Sequence, residues 1–145
     1  MSEGRDPYDD GVATRRAVLG EAHVARAQAA ATAFDAPFQE LITRGAWGTV
    51  WSSDAITRRE RSMITVALLA ALGQDEELAM HCRACARTGA SADDVREALM
   101  HVAIYAGVPA ANRAIRIARA AFAETATQEK DSAAGAPGEE QESDG

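Results

Sequence analysis

Glu77, His81 and Cys85 stand at i, i+4 and i+8, the spacing of a single helical face. A carboxylate one turn from an imidazole can fix its tautomer and raise its pKa, which suits general acid–base chemistry near neutrality. His101 and Tyr105 repeat the four-residue spacing further along the chain. The plainer alternative is a surface Glu–His pair, with a core tyrosine beside a satisfied histidine. Two histidines and a glutamate could also hold a divalent ion. However, Glu-x-x-x-His lacks the two ring nitrogens of a zinc-binding helix, so no metal is expected.

Cys82-Arg83-Ala84-Cys85 has the Cys-x-x-Cys spacing of redox sites. Thiols of that kind gain reactivity at a helix N-terminus, and these fall inside a helix, so two small buried cysteines are the expectation. His23 has no polar partner close by in sequence and reads as structural or exposed. Arg44 precedes Trp47 and Trp51, a pair four apart near an expected helix end. Arg58, Arg59 and Arg61 crowd the first turn of a helix, where the dipole disfavours cations. A solvated basic edge accounts for Arg59. One or two of the others would be kept there by a carboxylate ligand or a subunit partner.

The elements that must position these groups are helical. Alanine occupies 34 of the 145 positions and aromatic residues only 5%, a composition for close-packed helices rather than sheets. No strand-like alternation of useful length occurs, so the chain is expected to be all-α, with about six helices. Residues 8–32 form one or two Ala- and Arg-rich helices. Asp35 is expected to cap the next, which places Phe38, Leu41 and Ile42 on one face. A glycine-punctuated, irregular run follows from Gly45 to Trp51. Thr57-Arg58-Arg59-Glu60 is a capping box, and the apolar run behind it, stopped at Gly73, is expected to form the central helix. The helix that carries Glu77 and His81 stops at Gly89. Ser91 to Asp94 caps the helix of His101, and Pro109 opens the last one.

The net charge of −7 argues against a nucleic-acid partner. Six acids and one lysine lie in residues 127–145, a stretch without large apolar side chains that reads as a disordered acidic tail. The expected layout is a flexible 1–7, a single domain over 8–126, and the tail. The acidic N-terminus is not a secretory signal, and no apolar run reaches the roughly 20 residues of a membrane span. Two cysteines make no disulfide framework, so a soluble, cytoplasmic protein without a membrane partner is expected. Of the 15 basic residues 14 are arginine, the side chain suited to gripping carboxylates at two points.

Taken in order, several runs resemble the carboxymuconolactone decarboxylase family. These are Phe38-Gln39-Glu40-Leu41-Ile42-Thr43-Arg44, Ala46-Trp47-Gly48, Arg58-Arg59-x-Arg61-Ser62, and Asp75-Glu76-Glu77-Leu78 with His81. Ala103-Ile104-Tyr105-Ala106-Gly107-Val108-Pro109-Ala110-Ala111-Asn112 closes the match, and Tyr8-Asp9-x-Gly11 with Arg15-Arg16-Ala17-Val18-Leu19-Gly20 opens it. The resemblance covers about residues 8–124. It implies the all-α fold shared with alkylhydroperoxidase-D-like proteins, whose redox motif is Cys-x-x-Cys-x-x-x-His. Aligning that histidine on His81 puts the two redox positions at Gln74 and Glu77, so Cys82 and Cys85 lie on the wrong side of it. The acidic tail has no counterpart in the resemblance.

The resemblance further implies decarboxylation of 4-carboxymuconolactone to 3-oxoadipate enol-lactone, without a cofactor, in the protocatechuate branch of the beta-ketoadipate pathway. The unsaturated lactone is itself the electron sink: carbon dioxide leaves the γ carbon, a dienolate forms, and a proton is added at the α carbon. On this basis His81, oriented by Glu77, is the first choice of proton donor. His101 is the second choice, or else the donor to the oxyanion. Arg44 and Arg61, and more weakly Arg58, would hold carboxylates; Trp47 would wall the pocket, and Tyr105 and Asn112 would donate hydrogen bonds. A homo-oligomer, a hexamer built as a trimer of dimers, is also implied. The competing readings are a thiol-dependent peroxide reductase using Cys82 and Cys85, and a non-catalytic helical oligomerisation module.

Overall fold

A computed structural model describes residues 4–135. The order is α1 (Pro7–Leu19), α2 (Glu21–Ala30), α3 (Ala36–Ile42), a π-helical segment (Thr43–Trp51) continuing α3, then α4 (Arg58–Leu72), α5 (Asp75–Thr88), α6 (Ala92–Tyr105) and α7 (Val108–Ala134). No strand occurs among the described residues, in accord with the all-α expectation. Both capping boxes form: Thr57 and Ser91 accept from the backbone N–H groups of Glu60 and Asp94, whose carboxylates return the bond. Gly73 and Gly89 end their helices in the left-handed conformation, and Pro109 sits in the first turn of α7.

Two cores share one helix. The larger packs Val66 and Ala70 of α4, Leu78, Cys82 and Cys85 of α5, and Val95, Leu99 and Val102 of α6. The alanine stripe Ala111, Ala114, Ala118 and Ala121 of α7 lets that helix approach closely. The smaller core joins Val18, Leu19, Val24, Trp47 and Trp51 to Ala84 on the other side of α5. The central helix is therefore α5, not α4 as the apolar run suggested. On α4 only Ser62, Val66 and Ala70 are buried, whereas Ile64, Leu68 and Leu72 face outward.

Four local expectations need correction. The run after Arg44 is not irregular but one wide helical segment. It can lie flush on α1 because Gly11 and Gly48 have no side chains: a Cβ at Gly11 would strike the Thr43 carbonyl, and one at Gly48 the Pro7 carbonyl. Asp35 holds the N-cap position of α3 as expected, but its side chain makes no capping bond to the helix. Its carboxylate instead accepts from Thr32 N (2.6 Å) and Thr32 Oγ1 (3.0 Å), and Phe38 and Leu41 are exposed. Within the stretch expected to be flexible, Asp6 caps α1 and pairs with Arg44, while residues 1–3 lie outside the described residues. Helical structure does not stop at residue 126: α7 continues through Ala134 with these further residues exposed, because Gln, Glu, Lys and Ala favour the helix and nothing breaks it before Gly135. The rest of the acidic tail lies outside the described residues.

Candidate active site

His81 occupies an aromatic slot. Its ring stacks 5.8 Å from Trp51 and 6.3 Å from Trp47, and the two indoles stack 5.4 Å apart. The π-helical segment creates the slot: with Gly48 pressed onto α1, both tryptophans turn inward to meet α5. His81 is 7% exposed and its Nδ1 is buried without a hydrogen-bond partner. Burial, aided by the charge of His23, pushes the imidazole down to about 4. The expected Glu77–His81 pair is not made: Glu77 is exposed, and its charge acts instead on His23. Residues four apart are turned about 40° from one another, enough for one to face solvent while the other is buried.

His23 is half-buried. Burial and the charges of Arg15, Arg26 and Arg83 lower its pKa, against an opposing effect of Glu77. Cys82 and Cys85 are each 1% exposed, and burial pushes their thiols up to about 12 and about 11. Cys85 Sγ donates to the His81 carbonyl at 3.2 Å. Inert, core-packed thiols fit the expectation for this pair. Among the described residues no three His, Cys, Asp or Glu side chains converge on a metal site, and no helix is long and apolar enough to cross a membrane.

His101 and Tyr105 do meet, with rings stacked 4.9 Å apart, but on the exposed side of α6. α5 and α6 lie across the larger core from one another, each flanked by α4 and α7. His81 is held against the tryptophans while His101 stacks on Tyr105 at the surface, so the two rings stand in different surroundings. Asn112 is exposed at the start of α7.

The arginines divide by what already neutralises them. Arg44 donates to Asp6 (2.7 Å) and Glu40 (3.0 Å) and lies over the Tyr8 ring. Arg59 is not a bare basic edge: its fork grips Asp94 at 2.6 and 2.8 Å, and Asp94 is held well below the usual carboxylate range by that contact first and by the Ser91 backbone N–H second. Arg58 is exposed, on the rim of an open depression with Asp10 and Asp54. Arg61 gives one bond to the Ser53 carbonyl (3.2 Å) while its Nε is buried and unpartnered.

A cavity of about 460 Å³ opens between α1, α2 and α3. Arg15, Gln39, Thr43, Arg44, Tyr8 and Val24 are among the residues that line it. Val24 also packs in the Trp47–Trp51 core, so the cavity backs onto the wall that holds His81. The sequence reading missed Arg15. The signal was present: Val12, Arg15, Val18 and Leu19 fall on one stripe of α1, and Arg15 is the charge on that apolar stripe.

The Carboxymuconolactone decarboxylase family model matches residues 36–120. The chain is 44% identical over 115 residues to the 4-carboxymuconolactone decarboxylase of Acinetobacter baylyi, covering 79% of this chain and 86% of that protein. It is 41% identical over 104 residues to the nitrosuccinic acid decarboxylase npaB of Metarhizium robertsii, covering 70% of this chain and 71% of the relative. A 4-carboxymuconolactone decarboxylase of Pseudomonas putida matches at 54% over 41 residues, 28% of this chain and 85% of that sequence. The span of the family model takes in Trp47, Trp51 and His81, and the chain belongs to the carboxymuconolactone decarboxylase family.

Proposed function

We propose that this chain decarboxylates 4-carboxymuconolactone to 3-oxoadipate enol-lactone, a step of the protocatechuate branch of the beta-ketoadipate pathway. The observation that carries the reading is the 44% identity to the Acinetobacter baylyi enzyme over most of both chains. The C–C bond to the γ carboxylate breaks, and its electron pair moves through the ring double bond onto the lactone carbonyl. One proton then closes the sequence at the α carbon. No cofactor is required, because the lactone accepts the electrons.

The geometry changes the division of labour expected from sequence. With its pKa pushed down to about 4, His81 is neutral at neutral pH. It then serves better as an N–H donor to the developing oxyanion than as an imidazolium acid, in a dry slot where such a bond is strong. Proton delivery falls to His101, which is open to solvent beside Tyr105. With His81 in the buried slot and His101 on the exposed side of α6, the reading takes His101 from a second copy to complete the site. Two exposed apolar patches support assembly. One is Ile64, Leu68 and Leu72 of α4 with Met100, Ile104 and Tyr105 of α6; the other is Phe34, Phe38 and Leu41 around α3. Two kinds of contact on one chain are what a hexameric trimer of dimers needs.

Identity to npaB favours one further reading. Nitrosuccinic acid is also a dicarboxylic acid whose loss of carbon dioxide leaves electrons on an acceptor, a nitro group in place of a lactone. Comparing kcat/KM on the two acids tests the assignment. A higher value on the lactone is expected, and a higher value on nitrosuccinate would reassign the substrate.

A further inference from the structure

We infer that Arg15, in the cavity between α1, α2 and α3, is the residue that binds the carboxylate the substrate keeps. The inference rests on the decarboxylase reading above and names a residue that the sequence comparison did not single out. The lactone carries two carboxylates, and the one that departs gains nothing from a cation that holds it. The other, on the acetate arm, survives the reaction and can be gripped throughout.

Of the arginines near the tryptophan slot, Arg15 has the most unused capacity. It makes no ion pair with any described carboxylate. Its Nε is buried with no partner, and its Nη1 only reaches Gln39 Oε1 at 3.5 Å, the outer limit of a hydrogen bond. A half-buried guanidinium left in that state is costly, and a ligand carboxylate is the group that would satisfy it at two points. Burial pushes its pKa below the ordinary arginine value, and the one carboxylate in the lining, Glu40, is taken up by Arg44. Arg44 lines the same cavity but is already neutralised by Asp6 and Glu40. At about 460 Å³ the space lies within the roughly 300–1,000 Å³ usual for small-molecule sites. Tyr8 and Val24 give an apolar wall for a ring, and Gln39 gives a second polar contact.

The test uses the full chain with Arg15→Met and Arg15→Lys. Kinetics on 4-carboxymuconolactone are paired with calorimetric binding of 5-oxo-2,5-dihydrofuran-2-acetate, which keeps the lactone and the acetate arm but has no carboxylate to lose. Arg15→Met should raise KM by at least about tenfold with kcat within about threefold, and should weaken the probe by at least about tenfold. Arg15→Lys keeps the charge without the fork and should show a smaller rise; it carries the test if the methionine variant does not fold. An unchanged KM, or unchanged probe binding, overturns the assignment while leaving the decarboxylase reading in place. If the wild type has no turnover, that reading fails on its own and the probe alone decides: binding lost in Arg15→Met upholds the subsite, and equal or absent binding overturns it.

Discussion

At the scale of single residues, His81 and the two thiols are made unusual by what they lack. His81 has lost water and gained no carboxylate, so its folded pKa, about 4, lies below the ordinary 6.5. Its stabilising effect is therefore fully present above pH 6.5 and is lost as pH falls from there towards 4, since only the unfolded chain takes up the proton in that window. The difference amounts to something on the order of 3 kcal/mol. Denaturant titrations of wild type and His81→Phe between pH 7 and pH 4 check this: the wild type should lose more stability by about that amount, and parallel losses would contradict the burial of an uncharged imidazole. The thiols give an opposite kind of prediction. With both held in the core and pushed far from the thiolate form, Cys82→Ala with Cys85→Ala should leave decarboxylation within about twofold. A hydroperoxide-dependent activity abolished by the pair would reverse that conclusion.

Among the elements, the π-helical segment and α1 set the geometry, and the contact that locks them is made of two absent side chains. Gly48→Ala should lower stability by about 3 kcal/mol or more, as overpacking against a backbone carbonyl does, and should change the tryptophan fluorescence as Trp47 and Trp51 leave their slot. A thermal melt and emission spectrum like those of the wild type would show that the two backbones are not locked there. This contact also marks the limit of what could be read from the sequence. Capping boxes, glycine stops and the proline of α7 are local devices, and each one signals its own position. Gly48 beside Trp47 looks like a break in a helix unless the opposing Pro7 carbonyl is known, and nothing local says that Gly45 to Trp51 stays helical with a wider turn. The same gap explains the misplaced centre. The run of apolar residues on α4 is continuous, but half of it faces outward, so hydrophobicity alone chose the wrong helix. Glu77 and His81 were legible as chemistry but not as a pair, because a shared helical face does not say which of its edges is covered. Arg15 was visible only as a charge on an apolar stripe, and its meaning depends on α2 and α3 closing a cavity over it.

At the scale of the whole molecule, the chain exposes more apolar surface than a monomer carries comfortably. Leu68 and Ile104 are 57% and 79% exposed, on helices that pack side by side. Burying such side chains contributes about 1.5–3 kcal/mol each, enough for a few of them to hold subunits together. Leu68→Glu should therefore shift the protein to smaller species in light scattering at micromolar concentration, and a wild type that is already monomeric would contradict the proposed assembly. Assembly also bears on catalysis, since His101 lies on that same face. When His81→Ala and His101→Ala chains, each inactive alone, are denatured and refolded together, sites that draw the two histidines from different subunits regain activity. No recovery in mixed oligomers would confine each site to one chain.

The most direct test of the account is release of carbon dioxide from freshly generated 4-carboxymuconolactone by the wild type and by His81→Ala. One carbon dioxide and one enol-lactone should appear per substrate consumed, with kcat reduced at least about a hundredfold in the variant, as for loss of an oxyanion donor. A folded wild type that releases no carbon dioxide, or a variant that turns over like the wild type, would contradict it.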